Sequence, residues 1–213
     1  MTVRNVYLDC EFLPADPTTA GLVSIGLTDD QGVDYYAVNA YTDVAALLAI
    51  PWMVDNVWPS LPTAHDTSWP GFETDLDRKD PAVKGLDDIR RDVAAYFADT
   101  DAQTTRLWAW YGGQDICRLH SLWDNDWSVM PSQIPQWFNE LETLRWQAGN
   151  PDMPEQPSGQ HNALADARHN RAMHHFLTRF TAHARGDVKF LLDRVAELEA
   201  LMQRLGPPVE SGT

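Results

Sequence analysis

The chain has only two cysteines in 213 residues, Cys10 and Cys117, and neither a CxxC nor a zinc-knuckle spacing. A disulfide framework and a thiolate metal site are therefore not what organises it. Both thiols lie in apolar stretches and are expected to be free and buried, in a reducing compartment. No apolar run reaches the length of a membrane span, and the N-terminus lacks the basic-then-apolar pattern of a signal peptide, so a cytoplasmic protein away from membranes is the expectation. Basic side chains are scarce as well: 16 stand against 31 acidic ones, a formal net charge of −15. That balance argues against a protein that coats nucleic acid through a broad basic footprint, but not against an enzyme with a local one. Between His161 and Arg185 the only acid is Asp166, against four arginines and five of the seven histidines. A solvated helix face is the ordinary reading of such a run; a gathering of positive charge around a site is the sharper one.

The length suits one domain with a full core, expected over residues 1–185, followed by a C-terminal helix and short flexible tail over 186–213. Residues 5–12, 22–28 and 33–39 are β-rich runs, the last two joined by "DDQG", which predicts an antiparallel three-stranded meander. "DVAALLAI" is a short helical pattern, and the Pro-rich stretch 51–81 reads as a long loop, a candidate flap or rim. A helix over "GLDDIRRDVAAYFAD" turns Ile89, Val93, Tyr96 and Phe97 inward. Then "RLWAWY" is a strand, "GG" a tight turn, and "QDICRLHSLW" a helix with Ile116, Leu119, Leu122 and Trp123 inward, the strand-turn-helix order of an α/β protein. Further helices are expected in "SQIPQWFNELETLRWQ", with Pro135 near its start, and in "NALADARHNRAMHHFLTRF". The last one, "DVKFLLDRVAELEALMQRL", carries Val188, Leu191, Val195, Leu198, Met202 and Leu205 at alternating spacings of three and four. This seam covers fewer than three heptads, so packing onto its own domain is preferred to self-association.

One strand raises a question of its own. Side chains alternate across a strand, so in "LDCEF" Asp9 and Glu11 share one face while Leu8, Cys10 and Phe12 take the other. Two carboxylates held side by side cannot both ionise cheaply unless a cation lies between them. Two further acids have distinctive places: Asp115 in the first turn after the mid-chain strand, and Asp166 in the long helix, five residues after His161. Residues five apart on a helix diverge by about 140°, so His161 is expected at the helix start, leaning over the site, with Asn162 as N-cap. Singly, each has an ordinary reading: a solvent-facing edge for the first pair, a helix-dipole partner for Asp115, surface positions for His161 and Asp166. Together they make an oxygen-rich platform for Mg²⁺ or Mn²⁺. Two such ions about 4 Å apart activate water and stabilise the departing oxygen of a phosphodiester, with a histidine beside them as general base. Phe12, Trp58 and Trp69 are candidates for stacking on bases.

The order of these motifs resembles the DEDD superfamily of 3′–5′ exonucleases, in the branch whose last motif carries a histidine five residues before its aspartate. "LDCEF", "SIGLTDDQGVDYYAV", "WPSLP", "WAWYGGQDICRLHSLW" and "HNALADARHN" are similar to stretches of compact bacterial 3′–5′ exoribonucleases. The resemblance implies a ribonuclease H-like α/β fold, a mixed sheet with an antiparallel meander and parallel strands flanked by helices. It makes Asp9, Glu11 and Asp166 ligands of one ion, with Asp9 and Asp115 serving a second, Asp115 largely through water. His161 becomes the general base, acting with Glu11 in catalysis, and Phe12 and Asn162 the contacts to substrate. The implied reaction releases nucleoside 5′-monophosphates from single-stranded RNA 3′ ends, often by a homodimer. Many members place small hydroxyl residues after the D-x-E motif, where this chain has Phe12 and Leu13. DNA ends or short oligonucleotides are the alternative substrates, and a catalytically silent adaptor is the alternative from another class.

Overall fold

A computed structural model describes residues 2–16, 18, 21–64 and 75–205; at 182–187, 190, 193 and 199–205 of the last helix it describes the backbone alone. Strand β1 (Val3–Phe12) is the organising element. Its even residues Val6, Leu8 and Cys10 pack with Ile89, Val93 and Phe97 of α3 (Leu86–Ala98) and Leu119 of α4 (Gly113–Ser121). Its odd residues face the other way, where Tyr7 packs with Trp108, Leu141 and Met173. Asp9 and Glu11 continue that second face, which lies under α6 (Ala163–Leu205). The alternation predicted from the sequence is the alternation observed.

β1 pairs antiparallel with β2 (Leu22–Asp29) and parallel with β5 (Thr104–Ala109). β2 pairs antiparallel with β3 (Asp34–Asn39), and two-residue strands β4 (Val83–Lys84) and β6 (Asn139–Glu140) extend the edges, giving the order β4-β3-β2-β1-β5-β6. Every residue of β2 is buried, because helices cover both faces of the sheet. A second cluster joins Leu13, Val23 and Val38 to Leu47 of α1 (Val44–Leu48), Met53 of α2 (Pro51–Asn56), Val57 and Trp58. A three-stranded meander extended by parallel strands and flanked by helices is the ribonuclease H-like α/β plan. No described helix is long and apolar enough to cross a membrane.

Five expectations are corrected. The stretch 51–81 does not begin as a loop: Pro51 opens α2 and a 3₁₀ turn follows at Trp58–Ser60, since proline's fixed φ suits a first helical turn. The helix expected across residues 132–147 forms only as α5 (Leu141–Gln147), because Asn139 and Glu140 pair with the free edge of β5. The two C-terminal helices are one 43-residue helix, α6; a single interior Gly186 weakens a helix by only about 1 kcal/mol. Its seam does not pack on its own domain, for Val188, Leu191, Val195 and Leu198 are each more than half exposed, from 51% to 61%. Cys117 is exposed while Cys10 is buried, the inward face of α4 being formed by Asp115, Arg118 and Leu119. Trp69, with the rest of 65–74, and the tail 206–213 lie outside the described residues.

One close approach sets the position of α6. Gly26 is the β2 partner of Asp9, and a Cβ added there would lie 2.2 Å from the Ala163 carbonyl oxygen. Only glycine lets the first turn of α6 rest on the sheet beside the β1 acids. Gly26→Ala is therefore expected to destabilise the fold by about 1–3 kcal/mol, as overpacking does, and to weaken Mn²⁺ binding by displacing Asp166. Urea unfolding together with calorimetric Mn²⁺ titration checks this; wild-type values in both would contradict it.

Candidate active site

The site is built where three elements end. The last β1/β5 pair is Tyr7 with Trp108, so beyond it β1 must find other partners for its outward N–H groups. Asp115, in the first turn of α4, supplies one: its Oδ1 accepts from the Cys10 backbone N–H at 2.9 Å. The same carboxylate thus extends the ladder and faces the cleft. On the other side, Asn162 caps α6 as the sequence predicts, its Oδ1 accepting from Ala165 N at 3.1 Å. Its amide also donates to the Ser60 carbonyl and the Tyr36 hydroxyl, both at 3.4 Å.

His161, just before the cap, has φ +62°. This left-handed turn is how a residue five positions ahead of Asp166 reaches the same place. Donor atoms of Glu11, His161 and Asp166 all lie within 4.8 Å of one another. The turn is held from outside, with Ser60 Oγ donating to the His161 carbonyl at 2.7 Å and the Trp52 ring edge-on to the imidazole at 4.8 Å. Gln156 Nε2 donates to Asp166 Oδ1 at 2.6 Å. All five predicted motif residues and Phe12 line one pocket of about 340 Å³.

Asn162 is not among its lining residues, its amide being taken up by the cap and the Ser60 and Tyr36 contacts. Trp58 is buried in the core and offers no stacking face. Nor do the described arginines of 161–185 line the pocket. Arg168 pairs with Asp34, Arg171 donates to the Asp29 carbonyl, and His174 bonds the Tyr7 hydroxyl and stacks on Trp108. These groups fasten α6 to the sheet; among the described residues of this run, His161, Asp166, His169 and Asn170 line the cleft. Sequence reasoning passed over Trp110, Tyr111, Gln156 and Trp52. Position at the end of a sheet strand next to Asp115 was a usable signal for the first two; Gln156 sits in an aperiodic loop that gave none.

Burial is the main cause of the site's electrostatics. It raises Asp9 well above the usual carboxylate range, with Asp115, Glu11 and Asp166 adding repulsion. Burial, then Asp166 and Asp115, pushes Glu11 up to about 8. Asp115 is raised to about 7, again by burial, against the opposing hydrogen bond from Cys10. Asp166 is raised by burial, tempered by Gln156. Four carboxylates that resist ionising alone are the donor set a hard divalent cation relieves, and they fit Mg²⁺ or Mn²⁺.

A carboxyl whose folded pKa exceeds its unfolded one stabilises the fold at low pH, and that contribution is lost as pH rises through the folded value. For Glu11 the window runs from 4.5 to about 8. The metal-free protein is expected to lose melting temperature across it, Glu11→Gln to flatten the decline, and Mn²⁺ to restore most at the alkaline end. Scanning fluorimetry reads all three; a Mn²⁺ increment independent of pH would contradict the assignment.

No protein-family model matches the chain. Two Mycobacterium tuberculosis proteins, from strains CDC 1551 and H37Rv and each named a 3′-5′ exoribonuclease, are 31% identical to it over 162 residues, 76% of this chain and 86% of theirs. A solved structure of exonuclease I in its apo form superposes with a TM-score of 0.49 and 11% identity, over 81% of this chain and 41% of that one. At that identity and coverage the chain belongs to the mycobacterial proteins' family of 3′–5′ exoribonucleases, within the DEDD-type exonuclease superfamily.

Proposed function

We propose that this chain is a divalent-cation-dependent exonuclease that removes nucleoside 5′-monophosphates from single-stranded RNA 3′ ends, with His161 as the general base. The observation that carries the reading is the clustering of Glu11, His161 and Asp166 donor atoms within 4.8 Å, in a pocket shared with Asp9 and Asp115. Asp9, Glu11 and Asp166 would hold one Mg²⁺ or Mn²⁺, and Asp9 with Asp115 a second. Bound there, such ions supply charge neutralisation for the scissile phosphate and an acidified water. His161, braced by Trp52 and Ser60, takes a proton from the attacking water. Phe12 faces the terminal nucleotide, and Asn162 fixes the turn that aims His161 rather than touching substrate itself. RNA is favoured over DNA because the mycobacterial relatives are named exoribonucleases. A silent adaptor would have no need to keep four acids and the histidine converged on one pocket. The free thiols, one of them exposed, support the reducing, cytoplasmic setting.

A 5′-labelled RNA is expected to shorten stepwise from its 3′ end, only with Mg²⁺ or Mn²⁺. His161→Ala should cut turnover about 10²- to 10⁴-fold with Mn²⁺ affinity kept, whereas Asp166→Ala should lower both. A gel time course beside calorimetry decides; an undiminished His161→Ala rate would contradict the role, and matched DNA in competition would test the sugar preference.

The exposed seam of α6 supports a homodimer. Valine at 188 and 195 in the a positions, with leucine at 191 and 198 in the d positions, favours two parallel strands. Analytical ultracentrifugation is expected to give a dimer that L191E/L198E converts to monomer; a monomeric parent chain would remove the idea.

A further inference from the structure

Among the described residues five that are not glycine have positive φ. Three are Asp124, Asn125 and Asn150, whose short polar side chains tolerate the left-handed region. The other two, His161 and Tyr111, both line the catalytic pocket. His161 has its role in the proposed chemistry. Tyr111, at φ +55°, does not.

A left-handed backbone under a bulky ring costs about 1–3 kcal/mol and persists only where surrounding groups enforce it. Here the enforcement is visible. The Glu140 carboxylate accepts from Tyr111 N at 2.8 Å and from Gly112 N at 3.0 Å. Glu142 Oε2 accepts from the Trp110 indole N–H at 3.0 Å. Two acids from the β6/α5 junction thus hold a Trp–Tyr pair whose rings stack at 5.5 Å and 21°. The outcome is a tyrosine 68% exposed at the mouth of an acidic pocket. Tyr41, Trp137 and Trp146 are as exposed elsewhere, so it is the enforced backbone together with a place on the pocket wall that marks Tyr111 as a contact surface.

We infer that Tyr111, backed by Trp110, is a stacking shelf for a nucleobase of the bound strand, with Glu140 as its positioning residue. The inference deepens the reading of the pocket as a nuclease site and rests on it. A strongly acidic chain gains little from general attraction to a polyanion, and base stacking supplies affinity that does not depend on net charge or base identity. It also favours single strands, because in a duplex both faces of a base are already covered by its neighbours.

The test is direct binding without turnover: anisotropy of a 5′-fluorescein-labelled single-stranded RNA, with Ca²⁺ in place of Mg²⁺. Loss of about 1–3 kcal/mol of stacking corresponds to a Kd raised about 5- to 150-fold in Tyr111→Ala, with Tyr111→Phe unchanged. Tyr111→Gly separates binding from folding. Relief of the backbone strain should raise its unfolding midpoint while RNA affinity falls as in the alanine variant. Equal RNA affinity of Tyr111→Ala and the parent chain would overturn the shelf, as would a parent chain that binds no RNA. The two readings fail differently. If RNA is bound through Tyr111 yet never shortened with Mg²⁺ or Mn²⁺, the nuclease reading falls and the shelf stands. If Tyr111→Ala binds and shortens RNA like the parent, the shelf falls and the nuclease reading stands.

Discussion

The mutual repulsion of Asp9, Glu11, Asp115 and Asp166 is the constraint on which the rest of the structure depends. Each is raised by burial, and Asp9 and Glu11 further by their neighbours, so holding them together requires backbone that cannot relax away. β1 provides it as a central strand, paired with β2 through Asp9 and Glu11 and with β5 up to Tyr7. Asp115 is tied to β1 through the Cys10 N–H, and Asp166 arrives on a helix seated against Gly26. The core of Leu8, Ile25, Leu27, Phe97 and Leu107 behind this platform is fully buried, which is the rigidity that keeps four like charges in register.

Around the platform the chain stores strain where it positions chemistry. His161 and Tyr111 adopt the same left-handed backbone on opposite flanks of the pocket sequence, one just before α6 and the other just after β5. Each is clamped by polar groups from a different element, Ser60 for the first and Glu140 for the second. A relaxed turn at either place would aim the side chain elsewhere, so the local cost is inseparable from the arrangement of the cleft.

Charge is used locally rather than globally. Most of the arginines and histidines of α6 that have described partners bind the sheet, as Arg168 does to Asp34 and Arg171 to the Asp29 carbonyl. With Arg168 and Arg171 turned to the sheet, the cleft is lined by four acids beside His161 and His169, an oxygen-rich set that suits divalent cations. The acidic net charge and a nucleic-acid substrate are thus compatible within one design.

The sequence by itself determined the pairing of Asp9 with Glu11, because strand alternation is a local rule. It determined the meander, the α3 core stripe and the Asn162 cap for the same reason: period and capping chemistry act within a few residues. It did not determine that Cys117 is exposed, that Asn139 and Glu140 leave a helix to join β5, or that α6 runs unbroken with its seam outward. Those outcomes depend on which surface meets which, and free strand edges override local propensity. Only the tertiary structure decided that Gly26 admits α6, that Glu140 holds Tyr111 at the pocket mouth, and that Gln156 reaches Asp166. The first two join residues remote in the chain, the third starts from an aperiodic loop, and a contact formed by packing leaves no periodic signal in the sequence.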